Sequence, residues 1–253
     1  MPSVSRGESR LYFEEYGEGS PVVFLHGVGG NHASWFNQVP AFSERHRVIV
    51  LDQRGFGNSP DLEGLGRSAF VDDLEVLLDH LGLERCFLVA QSMGGGTATG
   101  FTCTHPRRVA GLVLCDTLVG IKAPKALEST LEATLARTAN LSQAERVLGP
   151  KTRAADRERT LLYLQIASFN SVNVRTVKGK FDLHKPEDLA ATGVPILFVA
   201  GEDDVLFEAS SIRAVSEATV GSRYVEIAGA GHSAYFEAPA RFNSVVLEFL
   251  AGL

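Results

Sequence analysis

Residues 86–97 read Cys86-Phe-Leu-Val-Ala-Gln-Ser-Met-Gly-Gly-Gly-Thr97 and carry the clearest structural signal in the chain. Its apolar residues 87–90 predict a buried strand, and the glycines 94–96 begin a helix that is predicted to run to about residue 105. A strand that turns directly into a helix around one serine, here Ser92, is the nucleophile elbow of the Gly-x-Ser-x-Gly motif. The turn lifts the serine hydroxyl above the sheet, and the helix N-terminus directs N–H groups and partial positive charge towards it.

The motif is altered at one position, because Ala90 occupies the place of its first glycine. A methyl group there should fit with slight crowding. Taken alone, the stretch is also compatible with an ordinary strand-to-helix connection that contains an incidental serine. The rest of the chain has to decide between these two interpretations.

The composition predicts one large α/β domain, or one domain with an insertion. The 253 residues are 45% hydrophobic and 21% charged, which is typical of globular proteins, and the net charge of −6 argues against nucleic acid as a partner. The sequence shows no signal pattern and no apolar run near the ~20 residues of a membrane helix. Cys86, Cys103 and Cys115 lack metal-ligand spacing and predict buried, reduced thiols. We therefore expect a cytoplasmic protein with no metal and no membrane partner.

Strands and helices alternate along most of the chain, which predicts a mostly parallel sheet with helices on both faces. Residues 3–17 alternate between apolar and polar side chains and predict an antiparallel hairpin at the sheet edge. Continuous apolar segments predict the buried parallel strands. These segments are 21–26, 47–52, 87–90, 109–116, 195–200 and 223–228.

Residues 120–186 interrupt this alternation and predict a helical cap inserted between two core segments, 1–119 and 187–253. Residues 121–186 include 12 basic and 6 acidic residues, whereas the rest of the chain has a net charge of −12. The positive charge has two interpretations. It could be a solvated helical surface, or a basic roof that attracts an anionic substrate.

A glycine-rich loop follows the strand that ends at His26. It lacks the Gly-Lys-Ser/Thr ending of a phosphate-binding loop, so we interpret it as an oxyanion loop in which the N–H of Val28 faces the reacting carbonyl. His26 is interpreted as a structural brace of this loop. Asp52 and Arg54 follow the next strand, and we expect them to anchor their loop through ion pairs or hydrogen bonds rather than to take part in catalysis.

Residues that could form a catalytic triad follow three predicted strands. Ser92 lies at the elbow, Asp203 and Asp204 follow strand 195–200, and His232 lies in a loop of small residues. Open α/β sheets place their sites beyond the carboxyl ends of the strands. A serine hydroxyl needs a neutral imidazole to accept its proton, and the imidazole needs a buried carboxylate to orient it. The spacing leaves either aspartate as the acid.

Five motifs together resemble the α/β-hydrolase family, in its capped branch of esterases, enol-lactonases and carbon–carbon-bond hydrolases. They are H-G-V-G-G-N (26–31), D-Q-R-G-F-G-N-S (52–59), A-Q-S-M-G-G-G (90–96), G-E-D-D-V (201–205) and G-A-G-H-S-A-Y-F-E-A-P (229–239). The resemblance covers nearly the whole chain and implies an eight-stranded, mostly parallel sheet with a helical cap. It also implies nucleophile Ser92, acid Asp204 and base His232, with oxyanion-hole N–H groups from Val28 and Met93.

The resemblance implies a serine hydrolase that forms an acyl-enzyme without a cofactor, in the first place a carboxylesterase for short- to medium-chain esters. A serine at the elbow disfavours the dehalogenases and epoxide hydrolases of this fold, which attack through an aspartate. A lactonase or a carbon–carbon-bond hydrolase is the alternative of the same class, although the loop lacks the G-x-G-P-G run common in the latter. A non-catalytic binding module is the alternative of another class, and the intact triad argues against it. The expected partner is a small ester or lactone, and the chain is expected to be a monomer or a homodimer.

Large aromatic side chains lie close to the predicted site loops or in the cap above them. We predict that they contribute to a mainly apolar substrate pocket. The candidates are Trp35, Phe36, Phe169, Tyr235 and Phe236.

Overall fold

The computed structural model describes residues 2–253. Within this range eight strands form one sheet, in the spatial order β1-β2-β4-β3-β5-β6-β7-β8. The strands are Ser3–Arg6 (β1), Ser9–Tyr16 (β2), Ser20–Leu25 (β3), His46–Leu51 (β4), Cys86–Gln91 (β5), Val109–Cys115 (β6), Ile196–Gly201 (β7) and Arg223–Ile227 (β8).

The sheet is mostly parallel, as the sequence predicts. The hairpin of β1 and β2 lies at one edge and pairs antiparallel with β4, whereas the neighbours from β4 to β8 are all parallel. Parallel neighbours need crossover connections, and right-handed crossovers place helices on both faces of the sheet. The carboxyl ends of the parallel strands therefore lie on the same side of the sheet, and the candidate site lies beyond these ends.

Helices fill the connections between the strands. The α-helices are Gln38–Phe42 (α1), Phe70–His80 (α2), Met93–Thr104 (α3), Glu128–Thr138 (α4), Gln143–Val147 (α5), Pro150–Ala155 (α6), Arg157–Ser168 (α7), Pro186–Ala191 (α8), Ala209–Ala218 (α9), Ala234–Glu237 (α10) and Pro239–Ala251 (α11). Short 3₁₀ helices cover His32–Trp35, Gly66–Ala69, Pro106–Arg108 and Lys125–Leu127. No helix between residues 2 and 253 is long and apolar enough to cross a membrane.

The sheet has an apolar core on each face. Successive strand residues point to opposite faces, so Val23 and Leu25 join one core while Val22 and Phe24 join the other. Helices α2, α3 and α9 cover the first core, and α1, α10 and α11 cover the second. Both faces of the central strands, such as β5 to β7, are buried, which explains why their sequences are almost continuously apolar, whereas the edge strand β8 is only partly buried.

The predicted cap segment, 120–186, contains α4 to α7 and the first residue of α8. Its two ends are paired by an isolated parallel bridge between Ile121 and His184, in which the N–H of Lys122 donates to the carbonyl of His184 at 2.8 Å. The insertion therefore leaves and rejoins the core at one place. Its boundaries at 120 and 186 stay a prediction that this pairing supports.

The cysteines are free thiols. Cys86 and Cys115 are buried in strands, as predicted, and burial is the main reason that the pKa of each thiol is raised. Cys103 departs from the prediction, because it lies near the end of α3 and is only partly buried.

Candidate active site

Ser92 lies at the turn between β5 and α3, with backbone angles φ 48° and ψ −117°. Positive φ is unfavourable for a residue with a Cβ, so the surrounding structure has to hold this turn in place. The N–H of Ser92 donates to the carbonyl of Cys115 at 3.1 Å, and its own carbonyl accepts from the hydroxyl of Thr117 at 2.7 Å. The helix also packs closely on β3, because a Cβ at Gly94 would collide with the carbonyl of Leu25. The elbow is thus over-determined by its neighbours.

The three residues predicted as a triad are in hydrogen-bond contact. The Oγ of Ser92 lies 2.9 Å from Nε2 of His232, and Nδ1 of the same ring lies 2.9 Å from Oδ2 of Asp204. The other oxygen of Asp204 accepts from the N–H groups of Leu206 and Phe207 at 2.7 and 3.1 Å. Of the two aspartates, Asp204 is therefore the one that contacts the histidine ring, and its role as the catalytic acid stays a prediction that this contact supports.

The electrostatic surroundings favour proton acceptance by His232, which is almost fully buried. Burial works to lower its pKa, but the charge of Asp204, the hydrogen bond to it and the charge of Asp116 outweigh burial and raise the pKa. With Asp204 as its partner, Nδ1 carries a proton and Nε2 is left to accept one from Ser92.

A second buried carboxylate, Asp116, lies directly after β6. Its oxygens accept the N–H of Gly201 at 2.6 Å and the N–H of Ala234 at 3.0 Å, so it links the end of β7 to the segment after His232. Burial, followed by the charge of Asp204, raises its pKa to about 7. Within the described residues, positive φ outside glycine is found only at Ser92 and Asp116, and backbone strain is thus concentrated at this site.

The loop after β3 has the form required of an oxyanion loop. Within residues 2–253 the N–H groups of Val28 and Met93 have no hydrogen-bond acceptor, so both are available to a substrate oxygen. His26 is fully buried and braces the loop, since its Nδ1 contacts the carbonyl of Gly27 at 2.8 Å and its Nε2 accepts the N–H of Gln53 at 3.0 Å. The oxyanion role of Val28 and Met93 stays a prediction that these observations support.

Asp52 and Arg54 are anchors of their loop, but they bind different partners. Asp52 accepts the N–H groups of His32 and Asn58, each at 2.7 Å. Arg54 forms a bidentate ion pair with Asp73, in which its Nε and Nη2 donate to the two carboxylate oxygens at 2.9 and 2.7 Å. Neither side chain reaches the cavity beside Ser92.

A cavity of about 520 Å³ opens onto Ser92 and His232. Core loops form one wall, and the cap forms the other. The lining residues are Val28, Gly29, Gln91, Ser92, Leu141, Ser142, Gln143, Arg146, Val147, Tyr163, Ala167, Asn170, Val172, Asn173, Val174, Arg175, Leu206 and His232. Amide, hydroxyl and guanidinium groups make up much of this lining, so the prediction of a mainly apolar, aromatic pocket is wrong.

None of the five predicted aromatic side chains is among the lining residues of this cavity. Trp35 and Tyr235 are buried in the core, where their ring centroids lie 4.3 Å apart with the ring planes tilted by 38°. Phe236 is also buried, and its ring packs 5.2 Å from Tyr163 behind the cavity wall. Phe36 is 44% exposed and packs on the outer side of Phe236. All four side chains are close to the site loops in sequence, but Trp35, Tyr235 and Phe236 belong to the apolar cluster covered by α1, α10 and α11, and Phe36 lies at its surface.

Phe169 is also placed wrongly by the sequence prediction, for a reason of helical geometry. Tyr163, Ala167 and Asn170 lie at spacings of four and three residues, which puts them on one face of α7 and its end, and all three line the cavity. Phe169 lies six residues after Tyr163, on a different face, and is 74% exposed. The cap contributes Tyr163 as its aromatic lining residue instead.

Two side chains, the partly buried Asn170 and the buried Glu237, join the cap to the site loops. Asn170 donates to the carbonyl of Gly30 at 3.1 Å, and its Oδ1 accepts from Asn31 at 3.2 Å and from the N–H of Gly57 at 3.0 Å. It therefore ties the cap to the oxyanion loop and to the loop after β4.

Glu237 makes the corresponding link to the histidine loop. Its two carboxylate oxygens accept the N–H of Gly149 in the cap at 2.8 Å and the N–H of Gly231 at 2.9 Å. Burial raises the pKa of Glu237 although these hydrogen bonds favour its charged form.

These linking residues were not identified from the sequence. Glu237 belongs to the motif around His232, which is a signal for it, but its partner Gly149 is 88 residues away in the chain. No local sequence pattern distinguishes Asn170 as a linking residue, because asparagine is also common at the ends of helices for structural reasons. Arg146 and Arg175 were included in the cap charge but not assigned to the cavity.

A metal site would require several ligating side chains close together. No group of three or more His, Cys, Asp or Glu side chains in residues 2–253 is arranged to hold a metal ion.

Comparisons with known proteins agree with this geometry. A family model of the α/β hydrolase fold matches residues 20–239. The putative non-heme bromoperoxidase BpoC of Mycobacterium tuberculosis is 28% identical over 260 residues, which cover 96% of this chain and 98% of that protein. The pimeloyl-[acyl-carrier protein] methyl ester esterase of Aeromonas hydrophila is 28% identical over 257 residues, with 94% of this chain and 98% of that protein covered.

Among solved structures, a thermophilic esterase from Thermogutta terrifontis with malate bound superposes with a TM-score of 0.80. It is 28% identical, and the match covers 98% of this chain and 96% of that one. The names of these relatives differ in reaction and substrate, so they support a hydrolase without defining its ester. The extent of the family match, the sheet and the elbow lead to one conclusion: the chain belongs to the α/β-hydrolase fold family.

Proposed function

We propose that this hydrolase is a serine esterase that cleaves small carboxylic esters through an acyl-enzyme at Ser92. The observation that carries the proposal is the continuous hydrogen-bonded series of Ser92, His232 and Asp204, with two contacts of 2.9 Å, at the floor of a cavity. A volume of about 520 Å³ is within the usual range for small-molecule sites and supports esters of short to medium length.

Acylation begins when Oγ of Ser92 attacks the ester carbonyl carbon while Nε2 of His232 accepts the hydroxyl proton. The carbonyl oxygen becomes an oxyanion that accepts hydrogen bonds from the N–H groups of Val28 and Met93. The intermediate then expels the alcohol oxygen, which takes the proton from His232. The products of this half-reaction are the free alcohol and an acyl group bonded to Ser92.

Deacylation repeats these steps with water as the nucleophile. Nε2 of His232 accepts a proton from water, whose oxygen attacks the acyl carbon, and the proton then returns to Oγ of Ser92 as the acid leaves. Asp204 stays ionised throughout, holds the ring in the required tautomer and stabilises its positive charge. Each oxyanion donor contributes about 10²–10³ in kcat in related chemistry.

A lactone is an internal ester and would pass through the same steps, with one hydroxy acid as its product. No contact in the cavity favours it over an open-chain ester, so the lactonase and the carbon–carbon-bond hydrolase stay the alternatives. A non-catalytic binding module would bind esters without turnover. A panel of open-chain esters and lactones, assayed for turnover, separates these cases.

The decisive experiment replaces the nucleophile. Ser92→Ala should reduce ester turnover by about 10⁶, as removal of a triad serine does elsewhere, and should keep the fold, because alanine fits the elbow backbone. An organophosphonate should label Ser92 in the wild-type protein, as mass spectrometry would show. Ser210→Ala, which removes an exposed hydroxyl from α9, is the matched control and should keep full activity. Turnover above a few per cent in Ser92→Ala, or labelling elsewhere, would contradict the proposal.

A further inference from the structure

The cap wall of the cavity carries positive charge close to the reacting groups. Arg146 on α5 and Arg175 in the segment after α7 both line the cavity, and none of the lining residues is acidic. Arg146 is half-buried, whereas Arg175 lies at the exposed rim. The cap charge noticed in the sequence is therefore partly directed at the substrate.

Arg146 and Arg175 combine two properties, since they line the cavity and lack an acidic partner among the described residues. Arg137 pairs with Glu208 at 2.7 Å, and Arg159 pairs with Asp156 at 3.2 Å. Within residues 2–253, Arg146 and Arg175 form no ion pair. The acid next to Arg146, Glu145, is engaged by the N–H and hydroxyl of Ser142 at 2.9 and 2.6 Å. Both guanidinium groups can therefore donate hydrogen bonds to an anion bound in the cavity.

An unpaired, half-buried arginine in a substrate cavity has a clear chemical use. Its planar guanidinium donates two parallel hydrogen bonds to a carboxylate, and the partly dry surroundings strengthen that contact. We infer that Arg146, assisted by Arg175, forms an anion subsite that selects esters carrying a carboxylate away from the scissile bond. The inference rests on the proposed esterase function and deepens it by naming the substrate class.

The carboxylate could belong to the acyl part or to the alcohol part of the ester. Mono(4-nitrophenyl) adipate, compared with the 4-nitrophenyl ester of adipamic acid, tests the acyl side. 4-Carboxyphenyl pentanoate, compared with 4-carbamoylphenyl pentanoate, tests the alcohol side. Each pair differs in a carboxylate against an amide of nearly the same size, so the ratio of kcat/KM within a pair isolates the charge.

A specific subsite must be separated from the general field of the basic cap. Exposed charges are screened within about 8 Å at an ionic strength of ~0.15 M, so the assays are done there. Arg157→Gln is the matched control, since Arg157 is an exposed cap arginine that does not line the cavity. It removes the same charge from the same domain.

We expect the wild-type enzyme to prefer the carboxylate ester of one pair by about tenfold or more, the value of a charge-assisted hydrogen bond. Arg146→Gln should abolish most of this preference, Arg175→Gln should reduce it, and Arg157→Gln should keep it. Arg146→Lys keeps the charge without the planar fork and should be intermediate. The ratio within one variant is independent of its folded fraction, so partial unfolding does not obscure the result.

Two results would overturn the subsite. One is equal kcat/KM within both wild-type pairs while Ser92-dependent turnover is normal, which leaves the esterase proposal intact. The other is the same loss in Arg157→Gln as in Arg146→Gln, which reduces the effect to a diffuse field. If no ester is turned over and Ser92 is not labelled, the esterase proposal fails instead. Calorimetric binding of adipate to the wild-type protein and to Arg146→Gln then decides the subsite, since equal affinities would refute it.

Discussion

The core wall and the cap wall of the cavity are held in different ways. On the core side, His232 and Asp204 are buried, and their polar atoms are matched to partners within about 3 Å. On the cap side, Arg146 is half-buried, Arg175 is exposed, and neither has an acidic partner. Bond-making groups need fixed geometry in a dry site, whereas recognition groups can stay hydrated until a substrate replaces the water. We therefore expect substitutions on the core wall to change reactivity and substitutions on the cap wall to change selectivity.

The two walls are joined by specific hydrogen bonds in addition to apolar packing, in which cap side chains such as Leu148, Tyr163 and Ile166 belong to one core cluster. Asn170 fastens the cap to the oxyanion loop, and Glu237 fastens it to the histidine loop. Movement of the cap away from the core would leave buried N–H and carbonyl groups unpaired, which is costly. The cap therefore contributes to the placement of the catalytic loops as well as to the cavity wall.

The largest expected effect lies on the core wall. Asp204→Asn should lower kcat by about 10⁴, because an amide in place of the carboxylate favours the wrong tautomer of His232. Asp203→Asn is the matched control and should change kcat little, since it is Asp204 that contacts the ring. Steady-state kinetics on an activated ester would measure both. Greater damage from Asp203→Asn would show that the acid is misassigned.

The next prediction concerns the hydrogen bonds that join the cap to the core. Asn170→Ala should lower the free energy of unfolding by about 1–3 kcal/mol, because the N–H of Gly57 and the carbonyl of Gly30 lose their partner. It should also lower kcat by about tenfold, since the oxyanion loop is less well placed. Denaturant unfolding and kinetics give the two values. Asn140→Ala, an exposed cap asparagine, serves as the comparison, and equal effects in both variants would remove the special role of Asn170.

The pH dependence of activity tests the electrostatics of the core wall. Because the pKa of His232 is raised above 6.5, the acidic limb of kcat/KM should lie above pH 6.5, where the ring loses its proton and becomes a base. Asp116 acquires its charge only as the pH rises through its own pKa of about 7, so its contribution grows across the same pH range, and Asp116→Asn should move the limb to lower pH by a small amount. A limb at unchanged pH in an active, folded variant would show that Asp116 exerts no field on the ring.

Asp116 also makes a prediction for stability. The folded protein holds a proton on this carboxyl up to about pH 7, whereas the unfolded chain releases it near 3.8. Unfolding therefore becomes easier as pH rises through this window, and this part of the pH dependence should be absent in Asp116→Asn. Unfolding curves of the two proteins at pH 5 and 7 measure the difference.

The smallest expected effect is on the outer surface of the cap. Phe169→Ala should change the free energy of unfolding by less than about 0.5 kcal/mol and leave kcat/KM nearly unchanged, because the ring is 74% exposed and lies off the cavity. Tyr163→Ala, on the cavity face of the same helix, should lower both quantities clearly. A strong loss of activity in Phe169→Ala would restore it as a pocket residue.

The sequence was sufficient where a signal is local or where order along the chain is enough. The elbow of Ser92 is a local feature, since a strand of apolar residues, one serine and three glycines describe it completely. The continuous apolar strands predicted the parallel sheet, because burial on both faces is what such a sheet requires. The confirmed family follows from these two signals together with the order of Ser92, Asp204 and His232.

The sequence was insufficient for the cavity. Tyr235 and Phe236 follow His232 closely, but the short helix α10 turns both rings into the core. Phe169 and Asn170 are adjacent in sequence, yet Phe169 is exposed, whereas Asn170 joins the cap to the oxyanion loop and to the loop after β4. Proximity to a site along the chain does not determine which way a side chain points.

The architecture and the reacting groups, Asp204 among them through the family resemblance, could therefore be predicted from periodicity and from the order of the motifs. The contacts between distant groups required the folded chain: the hydrogen bond of Glu237 to Gly149, and the position of Arg146 beside the cavity. These contacts depend on the packing of segments far apart in the chain. Their geometry follows from the relative placement of cap and core, which no local pattern contains.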